Sequence, residues 1–563
     1  MKKKTIIDIL ICILMTCVCL FSFFDSKILV SHDLTFHLNR FNGLANAFEE
    51  GQILPKIYPY ANNGFGYATP LFYCDLFLYP FGILYHFGLS AVWCYKLCVL
   101  FYTTLGNIFV YLIFKKETND RKISLLASFL YLTCNYHLMN IFIRGALGEI
   151  LAMTFMPLVL YAIYRILVKH EDCFIFLGIS FSLLVQSHLI SSLLYGIFFF
   201  CMIVVFLIMN RKDISLIKKT IITIIKGTIL ALLLCAWYLL PMFEQMCSQT
   251  FWLTLNSEMY SIKNTTQSIN EIFTISFDDF VPSVGIVLII LNIIYLFVKK
   301  NVNITVVFIY ILVLYLILLG IMPGAYLNVI QFYFRLYIVI FPISIIISLY
   351  VLNEIKYKNI MLILLLGFFS FVVIKTNLQT MKNGEYYLNN SASINEINSV
   401  LNFKYNLDYN HDELGGAEYL PYTEYVDYNN DSLAIKFIDQ SENAIDYIYE
   451  YYRSFLTFEF TCNNERELEL LLPLSYYKGY KAYEVLDGKW KPIETLCNQK
   501  YKEVSILSGF GEHMYRVKYV GTAIQKTTLA LSSLTFISVV IYTVYERKNK
   551  LGYNRKTGGN NYE

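Results

Sequence analysis

Apolar runs of roughly 20 residues recur along this chain, and the charges between them alternate from one connecting loop to the next. That pattern leaves little room for anything but a polytopic membrane protein. About twelve runs, each near the length of a span, begin near Thr5, Ala91, Ile123, Leu147, Cys173, Ile190, Thr220, Val284, Ile304, Leu336, Met361 and Gln525. The basic loops "MKKK", "KKETNDRK", "RILVKHED", "NRKDISLIKK", "VKKN", "NEIKYK" and "ERKNK" fall on one face. The positive-inside rule makes that face cytoplasmic and puts both termini there. The outer face then receives residues 25–90, the turns near Arg144 and His188, residues 242–282, 322–335 and 377–524. The run after "MKKK" starts like a signal peptide, but it is long and no A-x-A-like site follows, so it reads as a retained helix.

Residues 70–89, "PLFYCDLFLYPFGILYHFGL", would invert every later loop if they crossed the membrane. Broken by Pro80 and Gly82 and rich in Tyr and Phe, they are expected to form an interfacial or re-entrant helix on the outer face. Charged residues are 15% of the chain, against about 25% in soluble proteins. No basic domain or binding motif points to nucleic acid. The 13 cysteines sit mostly in apolar runs and show no zinc spacing. Cys462 and Cys497 share the large polar segment and are the candidate disulfide pair.

That segment, residues 377–524, alternates in "LAIKFID", "FLTFEFT", "RELELLLP" and "HMYRVKYV", and Asp487-Gly488 is a hairpin signal. A small antiparallel β domain with a sandwich-like build is expected there. It carries no His-Cys metal set and no G-x-S-x-G, so a lid or acceptor-binding module is its plainest reading.

The first outer loop opens with "SHDLTFHLNRFNGL". Leu34, Leu38, Phe41, Ala45 and Phe48 recur at helical spacing, which predicts an amphipathic helix over 32–50 lying along the membrane surface. Asp33, His37 and Arg40 then share its polar side, with Ser31 as N-cap. A carboxylate in a first helical turn is also favoured by the helix dipole alone. Other polar groups reach the same face: Arg144 and Glu149 in "FIRGALGEI", His188 in "VQSHLISS", Glu244 in "WYLLPMFEQ" and Arg335 in "IQFYFRLYIVI". Ionisable residues at membrane depth are costly and tend to face a partner or a cavity, so a shared outward cleft is expected.

The stretches "HDLTFHLNRFNGLANAFEEGQILPKIYPYANNGFGYATPLFY", "IRGALGE", "WYLLPMFE" and "IQFYFR" resemble bacterial membrane proteins described as 6-pyruvoyl-tetrahydropterin synthase related. Despite that description, nothing in the chain resembles pterin chemistry. The chain is also similar to YfhO-like proteins and, more distantly, to the GT-C superfamily of membrane glycosyltransferases; "LLPLSYYKGYKAYEVLDGKWKP" and "GEHMYRVKYVGT" resemble the YfhO-like outer domain. The resemblance implies a mainly α-helical, GT-C-like domain over 1–376, a β domain over 377–524, a last membrane helix over 525–545 and a basic cytoplasmic tail over 546–563. It implies an inverting glycosyl transfer from a polyprenyl-phosphate sugar donor to an envelope glycan or lipid acceptor. Asp33 matches the acidic position of the first outer loop and would be the catalytic base. His37, Arg40, Arg144, Glu149, His188, Glu244 and Arg335 would bind substrate, with Arg144 and Arg335 the phosphate partners by charge. The first loop lacks an Asp-Asp or Asp-Glu pair, which leaves a divalent metal ion an open expectation. A transporter or a non-catalytic envelope-assembly scaffold could use the same buried charges, although ionisable groups gathered at one face rather than the midplane speak against transport.

Overall fold

The computed structural model describes residues 3–255, 266–273, 281–322, 330–356, 358–382, 387–393, 395–397, 418–426 and 432–556. The start of "MKKK", the end of the 546–563 tail and parts of the segments 242–282, 322–335 and 377–524, expected on the outer face, lie outside the described residues.

Each apolar run forms a helix. Among the described residues, seven helices are long and apolar enough to cross a membrane: Ala91–Thr118, Leu147–Leu167, Leu189–Met209, Ile214–Met246, Tyr333–Glu354, Ile360–Met381 and Ala523–Glu546. Arg121–Thr133 and Asn135–Arg144 make a further apolar pair bent by 44°. Phe174–Ser187, Ile286–Phe297 and Val302–Leu318 are shorter apolar helices, and the first helix, Lys3–Cys19, has 17 residues. Burial ranks them: in their most apolar 18-residue stretches, 83% of Tyr333–Glu354 and 78% of Leu147–Leu167 is buried, against 11% of Ala523–Glu546, which is the most exposed.

Polar contacts sort the two ends of the bundle. At one end Arg121 Nε lies 2.6 Å from the buried Asp8, which also accepts from Tyr111, and Lys169 pairs with Glu117. These contacts gather the start of the first apolar run and the loops after the second and fourth. At the other end Lys27–Leu29 pairs antiparallel with Tyr387–Asn389. The Lys96 ammonium staples that ribbon by donating to the carbonyls of Asp25 and Lys27 and to Asn390 Oδ1. The last helix docks on Ile214–Met246 through Ser532. Its hydroxyl donates to Leu233 O at 2.7 Å and accepts from Trp237 N–H at 3.0 Å, so it sits inside a pair that an unbroken helix would join directly.

Among the described residues, the β domain is two five-stranded antiparallel sheets. One runs in the order Leu496–Cys497, Glu503–Ser508, Leu468–Ser475, Ile435–Ile438, Ala444–Ile448. The other runs Tyr452–Arg453, Thr457–Asn464, Gly511–Tyr519, Tyr480–Leu486, Lys489–Ile493. Alternate residues of both sheets, among them Phe458, Phe460, Leu470, Leu472, Ile506 and Val517, close on one core, which makes the unit a sandwich. Asp487 and Gly488 both take positive φ, 55° and 72°, as a tight two-residue hairpin requires. Cys462 and Cys497 lie in different sheets and are free thiols. Cys462 Sγ faces Ser508 Oγ and Cys497 Sγ faces Gln249, which corrects the candidate pairing.

The sandwich is seated on the loop between the first two apolar runs. Arg453 donates to the carbonyls of Pro59 and Gly64, Phe455 N–H donates to Glu50, and Ser475 N–H donates to Phe65 O. Beneath it the predicted surface helix is the helix Leu34–Glu49, and here the expectation is corrected. Thr35, His37 and Arg40 are buried along with Leu34, Leu38, Phe41 and Leu44, so both sides of the helix are packed instead of one facing water. Asp33, not Ser31, stands at the N-cap, and its side chain makes no capping bond. Residues 70–89 break into the short turns Thr69–Phe72 and Leu76–Leu78 and the helix Tyr79–His86, with Pro in the first turn of Thr69–Phe72 and of Tyr79–His86. Tyr79–His86 lies against the helix Leu34–Glu49: a Cβ at Gly82 would meet Leu44 at 2.9 Å.

Candidate functional site

Asp33 reaches its place through backbone pairing. His32 N–H and Asp33 N–H donate to the carbonyls of Ile143 and Arg144 at 3.2 and 2.8 Å. Arg144 itself closes a one-turn π-helix, Asn140–Arg144, that stops at Gly145 with φ 61°. A Cβ at Gly145 would meet Ser31 Oγ at 2.1 Å, so only glycine permits this approach of the two strands. Wide helical turns of this kind recur at functional sites.

Glu149 is the hub. Its Oε1 accepts from Arg144 Nη1 at 2.6 Å and from Arg335 Nε at 3.2 Å, and its Oε2 accepts from Tyr136 at 2.6 Å. Arg144 Nη1 also donates to Asn140 Oδ1 at 2.6 Å, and Arg335 Nη1 donates to Ile330 O and to Gln331. Each guanidinium lies over an aromatic ring, Arg144 over Phe334 and Arg335 over Phe332. Among the described residues, the Nη2 groups of both arginines donate to nothing.

The Asp33 carboxylate differs from Glu149: among the described residues, no hydrogen bond reaches it. Burial pushes its carboxyl above the usual range, while the nearby Arg144 and Arg335 oppose the rise. Two imidazoles border the group. His37 Nε2 accepts from the Leu147 N–H at 3.2 Å, and its Nδ1 lies 3.2 Å from Arg40 Nη1. Burial and the Arg40 charge hold His37 well below its ordinary value, so the ring is neutral. His188 caps the helix Leu189–Met209, its Nδ1 accepting from Ser191 N–H at 3.3 Å, and burial holds it down to about 3. With Nδ1 accepting, the neutral ring carries its proton on Nε2. Tyr73 packs beside both, its ring 6.1 Å from that of His37 and 6.4 Å from that of His188.

Asp33, His37, Arg144, Glu149, His188 and Arg335 thus come together. Arg40 adjoins them but is committed to Asp75: Nε donates to Oδ1 at 2.8 Å, Nη2 to the same oxygen, and Nη2 again to Cys74 O at 3.0 Å. Glu244 lies elsewhere, accepting from Thr522 and pairing with Lys478 at 3.4 Å. Sequence reasoning did not single out Tyr73, Asp75, Tyr136 or Asn140. The signal for Asp75 was present, since it is the one acid within "PLFYCDLFLYPFGILYHFGL". Among the described residues, no group of three or more His, Cys, Asp or Glu side chains is placed to hold a metal ion. Asp33 and Glu149 are the acids here, and Glu149 is already engaged by two guanidiniums. The arrangement offers an unbonded carboxylate, two neutral imidazoles and two cations with donors to spare, which suits proton removal beside a gathering negative charge.

A family model described as "6-pyruvoyl-tetrahydropterin synthase related domain; membrane protein" matches residues 72–381, more than half of the chain. The match takes in Tyr73, Asp75, Arg144, Glu149, His188 and Arg335, and Asp33, His37 and Arg40 precede it. An uncharacterized protein of Lactococcus lactis subsp. cremoris (strain MG1363) is 24% identical over 273 residues, 47% of this chain and 42% of that protein. The chain therefore matches less than half the length of this relative.

Proposed function

Because the chain belongs to the 6-pyruvoyl-tetrahydropterin synthase related family of membrane proteins, we propose that its charged cluster performs glycosyl transfer at the outer membrane face, from a polyprenyl-phosphate sugar to an envelope glycan or lipid. In this reading about twelve helices span the membrane, both termini are cytoplasmic, and the sandwich lies outside. Nucleotide sugars are cytoplasmic, so an outer-face transferase needs a donor soluble in the membrane.

The acceptor hydroxyl gives its proton to Asp33 as its oxygen bonds to the anomeric carbon. The bond from that carbon to the phosphate oxygen breaks, and the phosphate departs with the electron pair. Attack from the side opposite the phosphate inverts the anomeric centre. The spare Nη2 donors of Arg144 and Arg335 meet the charge that gathers on the leaving phosphate. Neutral His188 orients the acceptor, and His37, whose ring nitrogens face Leu147 N–H and Arg40, assists by holding that side of the site in place.

The observation that carries this reading is the Asp33 carboxylate, which among the described residues has no hydrogen bond yet lies beside two arginines whose Nη2 donors have no partner there. Asp33→Asn should leave the purified protein folded and lower transfer from a polyprenyl-phosphate sugar by about 10²–10⁴-fold, the usual weight of a general base. Full transfer by the variant rules the mechanism out. A second reading, a non-catalytic assembly scaffold, draws on the closure of Glu149 by three donors, which would hold the helices together without any chemistry. It predicts no covalent product from the parent protein.

A further inference from the structure

A groove of about 200 Å³ runs between the first outer loop and the sandwich, away from the Asp33 cluster. Its walls include Leu54, Phe455 and Leu456 from the two sides, and Lys56 and Arg453 supply its charge. No Asp or Glu lines it among the described residues. Arg453 is engaged by the carbonyls of Pro59 and Gly64. Lys56 is not: among the described residues its ammonium has no hydrogen bond and no ion pair, and it lies over the Trp237 ring at 5.1 Å. The nearest acid it feels, Asp75, already holds Arg40 on one oxygen and Tyr58 on the other. Burial accordingly pulls the Lys56 ammonium below its ordinary value. A half-buried cation without a counter-charge is costly unless something else supplies one.

We propose that this groove is a second, anion-binding site that takes a phosphate ester, with Lys56 as its charge partner. The surroundings favour a lipid headgroup as the source of that phosphate. Ile53, Leu54 and Leu456 are exposed apolar residues around the opening, and Gln525, in the first turn of the last helix, lines the groove. Trp237 belongs to a membrane-length helix, and tryptophan is a residue of the membrane interface. A phosphate on Lys56 would therefore have its chains beside apolar side chains and beside two helix ends. The space is several times the roughly 30 Å³ share of one water, so a phosphate fits without moving the sandwich.

The test uses the full-length protein in detergent micelles and measures binding by native mass spectrometry and the unfolding midpoint. The probes are added phosphatidylglycerol, phosphatidylcholine and inorganic phosphate. Phosphatidylglycerol should bind and raise the midpoint more than phosphatidylcholine. Lys56→Gln should weaken it about tenfold, the worth of one charge-assisted hydrogen bond, and Lys56→Arg should retain it. If Lys56→Gln does not fold, Lys56→Met, which keeps the apolar stem against Trp237, gives the same reading. Equal binding of inorganic phosphate with the same Lys56 dependence supports the site and assigns it a soluble occupant. Phosphatidylglycerol binding that ignores all Lys56 substitutions overturns the proposal. Asp33→Asn should bind phosphatidylglycerol as the parent does, so failure of the transferase reading and failure of this one are separate results.

Discussion

Arg144 Nη1 and Glu149 Oε1 stand 2.6 Å apart across the break between a π-turn and a membrane-length helix, and Arg335 approaches the same oxygen from far along the chain. One carboxylate therefore holds two guanidiniums, and its removal strands both.

Glu149→Gln should lower stability by about 3–5 kcal/mol, the cost of leaving buried charges without their partner. Tyr136 can still donate to the amide oxygen, so the loss belongs to the arginines. The unfolding midpoint of the purified protein checks this, and a change under about 1 kcal/mol would show that the pair is solvated.

Asp33 governs a pH dependence with a definite sign. Burial raises its folded carboxyl above the ordinary 3.8, which favours the neutral acid in the folded protein. Its contribution to stability is fully present below pH 3.8 and is lost as pH rises through the raised folded value. Activity runs the other way, because a base must be ionised, and transfer should rise with pH through that same raised value. Asp33→Asn should abolish this part of the stability slope when unfolding is followed across acid pH.

Gly148 tests the packing of the imidazoles. A Cβ there would meet Tyr73 Oη at 1.7 Å and His188 Cδ2 at 3.1 Å, whereas a Cβ at Gly196 meets nothing within 4 Å. Gly148→Ala should cost about 1–3 kcal/mol by overpacking and reduce transfer by displacing Tyr73 and His188. Gly196→Ala should be neutral or stabilising by up to about 1 kcal/mol. Thermal unfolding of both variants, side by side, decides it.

Ser532→Ala should loosen the last helix. Its hydroxyl serves Leu233 O and Trp237 N–H on the neighbouring helix, whereas the Ser538 hydroxyl donates to Leu534 O within its own helix. A loss of about 0.6–2 kcal/mol is expected for Ser532→Ala and little for Ser538→Ala, as read by steric-trapping or denaturant unfolding in micelles.

Apolar period and turn chemistry made much of this architecture legible beforehand. The runs from Thr5 to Gln525 are helices, and "VLDGKWKP" is a hairpin with both turn residues at positive φ. The meeting of Arg144, Glu149, His188 and Arg335 was legible too, because charge at membrane depth demands a partner. The surroundings of Arg40 were not. Helical spacing set Arg40 beside His37 on a wet face, but spacing carries no information on what covers that face. Asp75 and Tyr58 do so from other parts of the chain. Tyr136 escaped notice for a related reason: in an apolar run a tyrosine reads as bulk, and only its contact with Glu149 shows the hydroxyl in use.

The ribbon that joins Lys27–Leu29 to Tyr387–Asn389 bears on how the chain is made. Asn390 Nδ2 donates to Asp25 O across 365 positions. A ribosome adding about 5–20 residues per second needs on the order of a minute to supply that second strand. Throughout that interval the Asp33 loop has left the ribosome without its ribbon partner. The assembly around this ribbon is therefore a late event of biogenesis, and the early loop waits without its partner strand while most of the helices are made.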